Sequence, residues 1–160
     1  MVEAAFSTAI IGIALITLVP TFLLSMKATK TAEQTKVATQ LSSELLEEIH
    51  LRKWDELTPL PVQAIPTGSA ALGNNSGETA TDKRTFEDID DFNGWTENPP
   101  QDPMGQPLSG FTGYSRSVTV TYVTAAMAVS AVPTDYKQVH ICTQTPRRAP
   151  VCMDALFTNR

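Results

Sequence analysis

The chain has 160 residues, of which 42% are hydrophobic, 7% aromatic and 18% charged. A length of this order accommodates one domain with an additional segment. The formal net charge is -5 and Lys and Arg form no dense cluster, which argues against nucleic-acid binding. The acidic balance by itself bears on solubility and identifies no partner.

The first predicted element is an apolar helix long enough to span a bilayer. No charged residue occurs between Ala4 and Met26, and a membrane-spanning helix needs ~20 mainly apolar residues. Glu3 precedes this run, and the basic residues follow it from Lys27 onward. A cleaved secretory signal has the opposite order, with basic residues first. Glu3 taken by itself is either a harmless carboxylate at the interface or a charge with a function.

Pro20 lies within the apolar run. Proline removes one helical hydrogen bond and clashes with the preceding turn, which predicts a kink or local unwinding. Membrane helices tolerate such a residue when neighbouring groups satisfy the freed carbonyl.

An amphipathic half is predicted to continue the same helix to about Lys53. Residues 27–57 contain neither Gly nor Pro, and apolar residues recur there at spacings of three and four. These residues form one stripe that a soluble domain must cover. The stripe consists of Ala38, Leu41, Leu45 and Ile49, widened by Leu46, Trp54 and Leu57.

This arrangement resembles the type IV pilins and the pseudopilins of type II secretion. Met1-Val2-Glu3-Ala4 matches the end of the family's short N-terminal run, and Pro20 follows Glu3 at a spacing seen in many pilins. The family pattern places this Glu fifth, after a cleaved basic leader ending in Gly. In this chain Glu is third, so the leader and two residues of the pattern are missing from it. Further segments resemble the minor pilin and pseudopilin branch, namely LSSELLEEIHLRKWDEL, DDFNGW, GFTGYSRSVTVTYV and DYKQVHICT.

The resemblance implies a structural subunit and no enzyme activity. It implies a single span in the bacterial inner membrane, with the globular part in the periplasm, and later incorporation into a pilus or pseudopilus. The implied partners are other pilin or pseudopilin subunits, the prepilin peptidase and the inner-membrane assembly platform. The alternative is a bitopic membrane protein whose periplasmic domain binds a ligand or a partner.

Glu3 and Pro20 are the residues to which the resemblance gives a role in assembly. In the family, Glu at this position is thought to pair with the N-terminal amine of a neighbouring subunit. An isolated buried charge is very costly, so such a pair would fix the axial register of the subunits. Processing and N-methylation are likewise implied by the family.

The predicted helix and the region after it divide the chain into three segments. Residues 1–26 form the transmembrane half of the helix, 27–57 its amphipathic half, and 58–160 a β-rich globular region. Two long loops are predicted in the globular region, over 58–83 and 96–107, because both stretches are rich in Pro, Gly and polar residues. We expect the first loop to be exposed.

Strands are predicted over Ser117–Val123, Gln138–Gln144 and Val151–Thr158, from strand-forming residues and, in the first, from alternating polarity. Three or more antiparallel strands can bury one face on the amphipathic half of the helix. The predicted fold is therefore α+β, with a long N-terminal helix packed against a small antiparallel sheet, as in pilins.

Cys142 and Cys152 are the two cysteines of the chain. Pairing the last two strands around Arg147 places them opposite each other, with Cβ atoms ~4.5 Å apart. We predict a disulfide, because the membrane topology implies an oxidising compartment; two free buried thiols are the alternative. Neither His50 nor His140 completes a zinc motif with them.

An acidic segment precedes the second loop. A calcium loop needs oxygen ligands at alternating positions and a Gly at the turn, whereas Phe92 occupies one of these positions here. We predict a solvated acidic turn with Phe92 and Trp95 packed inward, and calcium binding is the weaker alternative. The calcium candidates are Asp88, Asp90, Asp91 and Asn93. No nucleophile–base motif and no Gly-rich phosphate loop occurs, so neither a catalytic residue nor another cofactor is predicted.

Overall fold

The computed structural model describes residues 2–54, 72–73, 78–146 and 148–159. These residues form an α+β fold in which a long N-terminal helix packs against an antiparallel sheet, as the sequence predicts. The sheet has the strand order β1-β2-β3-β4. The elements are α1 (Val2–His50), β1 (Thr96–Glu97), β2 (Ser115–Tyr122), β3 (Tyr136–Gln144) and β4 (Val151–Thr158), with two short 3₁₀ helices at Lys83–Thr85 and Asp90–Phe92.

The chain divides into two compact units, Met1–Lys36 and Val37–Arg160. In the first unit α1 is continuous through Pro20. The proline therefore does not unwind the helix. The hydroxyl of Thr21, one residue later, donates to the carbonyl oxygen of Leu18 at 2.8 Å and lies 3.3 Å from that of Thr17.

In the second unit, α1 buries the predicted stripe against the sheet. Ala38, Leu45 and Ile49 are fully buried and Leu41 is 1% exposed, because residues three and four apart share one face of a helix. A buried hydrogen bond of 2.7 Å joins the hydroxyls of Ser42 and Thr143 across the helix–sheet interface. The amphipathic pattern is therefore confirmed.

Strand β2 alternates as predicted. Val118, Val120 and Tyr122 are buried, whereas Thr119 is exposed, because successive side chains of a strand point to opposite faces. Aromatic rings complete the core, with Phe86 5.0 Å from Phe92 between ring centroids. The core consists of Leu45, Ile49, Phe86, Ile89, Phe92, Trp95, Val118, Val120, Val139, Ile141 and Phe157.

The structure differs from the sequence prediction at several element boundaries. The helix ends at His50 instead of Lys53, because the backbone of Lys53 bonds to the segment around Asp88 instead. Strand β1 and its buried Glu97 lie within the predicted loop 96–107. Lys83, expected at the end of an exposed loop, is fully buried. Met1, Leu57, Arg147 and most of the loop 58–83 lie outside the described residues.

Candidate functional site

The first candidate site is the apolar segment of α1. Among the described residues, one helix is long and apolar enough to cross a membrane, and its most apolar 18-residue window has a mean hydropathy of 2.3 and is 0% buried. Ile16, for example, is 74% exposed. The chain is thus compatible with a single membrane span. Glu3 lies in the first turn of this helix and is exposed.

A second site is a buried ionic network centred on Glu97, which pairs with Arg116 across β1 and β2. One Glu97 carboxylate oxygen accepts from Lys83 Nζ at 2.9 Å and the other from Arg116 Nε at 2.6 Å. Arg116 Nη2 also contacts Glu97, and Trp95 Nε1 donates to the carboxylate at 3.1 Å. Helix α1 contributes Glu48, whose carboxylate lies 3.0 Å from Lys83 Nζ. All four ionised side chains are buried.

Glu97 remains ionised in this network. Burial by itself would raise the pKa of Glu97, but the charges of Arg116 and Lys83, with hydrogen bonds from Lys83 and Gln101, lower it below its usual value. Glu97 also accepts from the backbone N–H of Gln101 at 3.0 Å. Glu97 therefore joins β1, β2 and the segment after β1, and Lys83 links this carboxylate to Glu48 on α1.

The acidic turn is a third site, and it differs from its prediction in one respect. Phe92 and Trp95 do pack inward. However, Asp88, Asp90 and Asp91 are buried, not solvated.

A lysine distant in sequence compensates negative charge in the buried acidic turn. Lys137 Nζ on β3 lies 2.6 Å from Asp90 Oδ1 and also donates to the carbonyl of Trp54. The Trp54 ring lies 4.7 Å from the same ammonium, a spacing at which cation–π attraction stabilises the charge. Lys137 is itself fully buried.

Backbone N–H groups donate hydrogen bonds to several side-chain oxygens of the turn. Asp91 Oδ2 accepts from the N–H groups of Glu87 and Asp88, at 2.7 and 3.0 Å. Asp88 Oδ1 accepts from the N–H of Asp90 at 3.0 Å. Asn93 Oδ1 accepts from the N–H of Val120 at 3.1 Å. Each calcium candidate therefore has one oxygen already bonded within the protein, and calcium binding stays the weaker alternative.

Asp88 has the most strongly shifted acidity of the turn. Burial, a hydrogen bond with Asp90 and the charges of Asp90 and Asp91 raise the pKa of Asp88 from 3.8 to about 8. Lys137 acts in the opposite direction and is outweighed. Near neutral pH the raised pKa favours the neutral form of Asp88, so the turn carries less negative charge than its sequence suggests.

A fourth site surrounds the predicted disulfide, which is present between Cys142 and Cys152. The two residues are paired across β3 and β4, with Cα atoms 4.1 Å apart. His140 Nε2 lies 3.1 Å from Cys142 Sγ, and His140 Nδ1 lies 2.8 Å from Asp154 Oδ1. Gln138 Nε2 donates to the same Asp154 oxygen at 3.0 Å. His140, Cys142 and Cys152 bring their ligand atoms within 4.8 Å of one another. Because the sulfurs are bonded to each other, they are not thiolate ligands for a metal here.

A groove of about 500 Å³ lies between α1 and the segment after β1. Its apolar lining includes Leu51, Pro103 and Leu108. The acidic side chains Glu44 and Glu47 also line it. The groove borders the Glu97 network through Arg116 and Glu48.

The sequence prediction found the disulfide and the apolar segment, but it missed the three buried cations, Lys83, Arg116 and Lys137, and the histidine beside the sulfur. A signal existed for Arg116, Lys137 and His140. Arg116 shares its strand face with Val118, and Lys137 shares its face with Val139, so strand alternation places both charges inward. Pairing Cys142 with Cys152 also places His140 opposite Asp154 in the same register.

Comparisons with protein-family models, with curated proteins and with solved structures find no match to this chain.

Proposed function

We propose that this protein is a membrane-anchored structural subunit, of the minor pilin or pseudopilin type, that assembles through α1 into a pilus-like or type II secretion filament. The observation that carries the proposal is the exposed apolar part of α1, which begins with Glu3 and continues as one helix into the amphipathic stripe. The proposed location is the bacterial inner membrane, with the 37–160 unit in the periplasm. The proposed partners are other subunits of the filament, the prepilin peptidase and the assembly platform.

The apolar part of α1 needs an apolar environment. Its large side chains, from Phe6 to Met26, are each about half or more exposed within the chain, an area that soluble monomers rarely leave uncovered. A bilayer can cover these side chains before assembly, and the same part of neighbouring subunits can cover them in a filament.

Glu3 favours assembly over simple anchoring. A carboxylate among apolar helices needs a positive partner, because an unpaired buried charge is very costly. The first basic residue of α1 is Lys27, ~36 Å along the helix at 1.5 Å per residue. Among the described residues of the helix, no lysine or arginine therefore lies near Glu3, and a neighbouring subunit is the source of positive charge that the proposal assigns.

The experiment compares Glu3→Ala and Glu3→Gln with the wild type in host cells that lack their own copy of the gene. Filaments are sheared from the cells, and the chain is quantified in the filament and membrane fractions. We expect both variants to remain in the membrane, with the 37–160 unit folded, and to be depleted from the filament fraction. Ser7→Ala is the matched control, since Ser7 lies one helical turn further in the same exposed segment and carries no charge.

Two outcomes would contradict the proposal. Incorporation of Glu3→Ala at the wild-type level would refute the role of Glu3. A wild-type chain that stays in the membrane fraction, without subunit–subunit crosslinks, would refute the filament. That second outcome would favour the bitopic membrane protein whose periplasmic domain binds a ligand or partner.

A further inference from the structure

The disulfide lies on the solvent-facing side of the sheet. Its polar neighbours stand next to one of its two sulfurs. Cys152 is exposed, whereas Cys142 and His140 are partly buried. His140 is placed between Cys142 Sγ, 3.1 Å from Nε2, and Asp154 Oδ1, 2.8 Å from Nδ1. The fold does not require a histidine at this position, because its side chain lies outside the core.

Both acceptors around His140 lack a proton. A disulfide sulfur carries no hydrogen, and the Asp154 carboxylate accepts only, so each can only receive a hydrogen bond from the ring. The imidazolium form, which donates from both nitrogens, satisfies both contacts at once. His140 in this form holds a proton directed at Cys142 Sγ.

The two sulfurs therefore differ in chemical role. An attacking thiolate reaches Cys152, because Cys152 is the exposed member of the pair. The sulfur that leaves is then Cys142, and the loss of a thiolate is faster when its charge is stabilised or protonated. His140 contacts this sulfur and not the attacked one in the described structure.

We propose that Cys142, Cys152, His140 and Asp154 form a thiol–disulfide exchange site whose substrate is a dithiol. The thiolate of the dithiol forms a bond to Cys152 Sγ, and the Cys142–Cys152 bond breaks. Its electron pair goes to Cys142 Sγ, which takes the proton from His140 Nε2. The second thiol of the dithiol loses a proton to solvent and attacks the mixed disulfide at the dithiol's own sulfur. Cys152 leaves as a thiolate and takes a proton from solvent. His140 recovers its proton from solvent. The dithiol, which has lost two protons to solvent, is oxidised to a disulfide, and the protein gains two electrons and two protons.

Asp154 acts as a positioning residue in this scheme. It orients the ring through Nδ1 and compensates the imidazolium charge, while Gln138 holds the carboxylate. The site does not depend on the proposed filament, and the experiment uses single chains, so failure of either proposal can be distinguished from failure of the other.

The experiment measures the rate at which dithiothreitol reduces the disulfide in the full chain, purified in a mild detergent. Samples are quenched with acid at intervals, alkylated and analysed by intact mass. We expect a rate proportional to dithiothreitol concentration. We expect His140→Gln to lower the second-order rate constant about 10-fold, less than the ~10²-fold or more of enclosed proton donors, because this site is half exposed.

The control is Thr119→Ala, which alters the exposed residue directly opposite His140 on β2 and should leave the rate unchanged. Asp154→Asn should lower the rate without changing the urea midpoint. The double variant His140→Gln/Asp154→Asn should be no slower than His140→Gln, because Asp154 acts through the ring. Equal rates in the wild type and His140→Gln would overturn the proposal, as would a faster Asp154→Asn or additive effects in the double variant.

A second measurement identifies the attacked sulfur. Brief treatment with the monothiol glutathione, followed by an acid quench and peptide mapping, should place the glutathione adduct on Cys152. An adduct mainly on Cys142 would overturn the assigned direction. A wild-type rate that saturates with dithiothreitol would also overturn the proposal, because reduction would then be limited by opening of the fold.

Discussion

Glu97 is the residue whose loss should damage the 37–160 unit most directly through charge. The change Glu97→Gln keeps the shape of the side chain and removes only its negative charge. Lys83 and Arg116 are then left buried, with 0% and 2% side-chain exposure, beside a neutral amide. Removing one partner of a buried ion pair costs ~3–5 kcal/mol. Because Glu48 still compensates Lys83 at 3.0 Å, we expect a loss of ~3 kcal/mol, at the lower end of that range.

This loss is a large part of the stability of a domain, which is ~5–15 kcal/mol in total. The assay is urea unfolding of the full chain in a mild detergent, followed by tryptophan fluorescence. The chain has two tryptophans, and one of them, Trp95, donates to Glu97 at 3.1 Å. Glu87→Gln is the matched control, since the ion pair of Glu87 with Lys53 is exposed and exposed pairs contribute ~0–1 kcal/mol.

The loss of stability at acid pH gives an independent measurement of the contribution of the Glu97 charge. Because the folded-state pKa of Glu97 is lowered, its contribution to stability is present above 4.5, its ordinary value, and is lost as the pH falls through the folded-state pKa. The wild type should therefore lose more stability than Glu97→Gln below pH 4.5. At neutral pH, a free energy of unfolding of Glu97→Gln within ~1 kcal/mol of that of Glu87→Gln would refute the reasoning. The network would then behave like an exposed ion pair.

Two further predictions concern the acidic turn and the disulfide. The folded-state pKa of Asp88 is raised to about 8 from 3.8, so its contribution is complete below 3.8 and is lost as the pH rises toward 8. The Asn side chain of Asp88→Asn resembles the protonated acid. In urea titrations, the free energy of unfolding of the wild type relative to this variant should therefore fall by up to ~1.4 kcal/mol per pH unit across that window. Parallel pH profiles of the two proteins would contradict the prediction. Replacing Cys142 and Cys152 together by alanine should cost ~2–3 kcal/mol, because their link closes a short loop in the unfolded chain. Unreduced wild type should resist maleimide labelling, and full labelling without reductant would contradict the bridge.

The elements predicted well are those set by local patterns. The stripe of α1 depends on the helical period, and the inward face of β2 depends on the strand period, so each can be identified within one stretch of sequence. The disulfide followed from the register of two strands joined by a short turn. The same register placed His140 opposite Asp154, but its contact with one sulfur depends on side-chain rotamers, which no sequence pattern specifies.

The acidic turn shows where local patterns fail. A run of carboxylates predicts solvation, because a buried charge is costly unless it is paired. Asp90 finds its partner in Lys137, 47 residues later in the chain. The protonation of Asp88 likewise depends on neighbours that only the folded turn brings together.

The sequence by itself thus determined the long helix with its apolar and amphipathic parts, the inward strand faces and the cysteine pair. These features follow from the periods of helices and strands and from residue chemistry. Only the tertiary structure decided which charges are buried, how Glu97 joins Lys83 and Arg116, and which sulfur His140 contacts. The physical reason is that the free energy of a buried charge depends on partners that approach through space, and their positions are set by the packing of the whole domain.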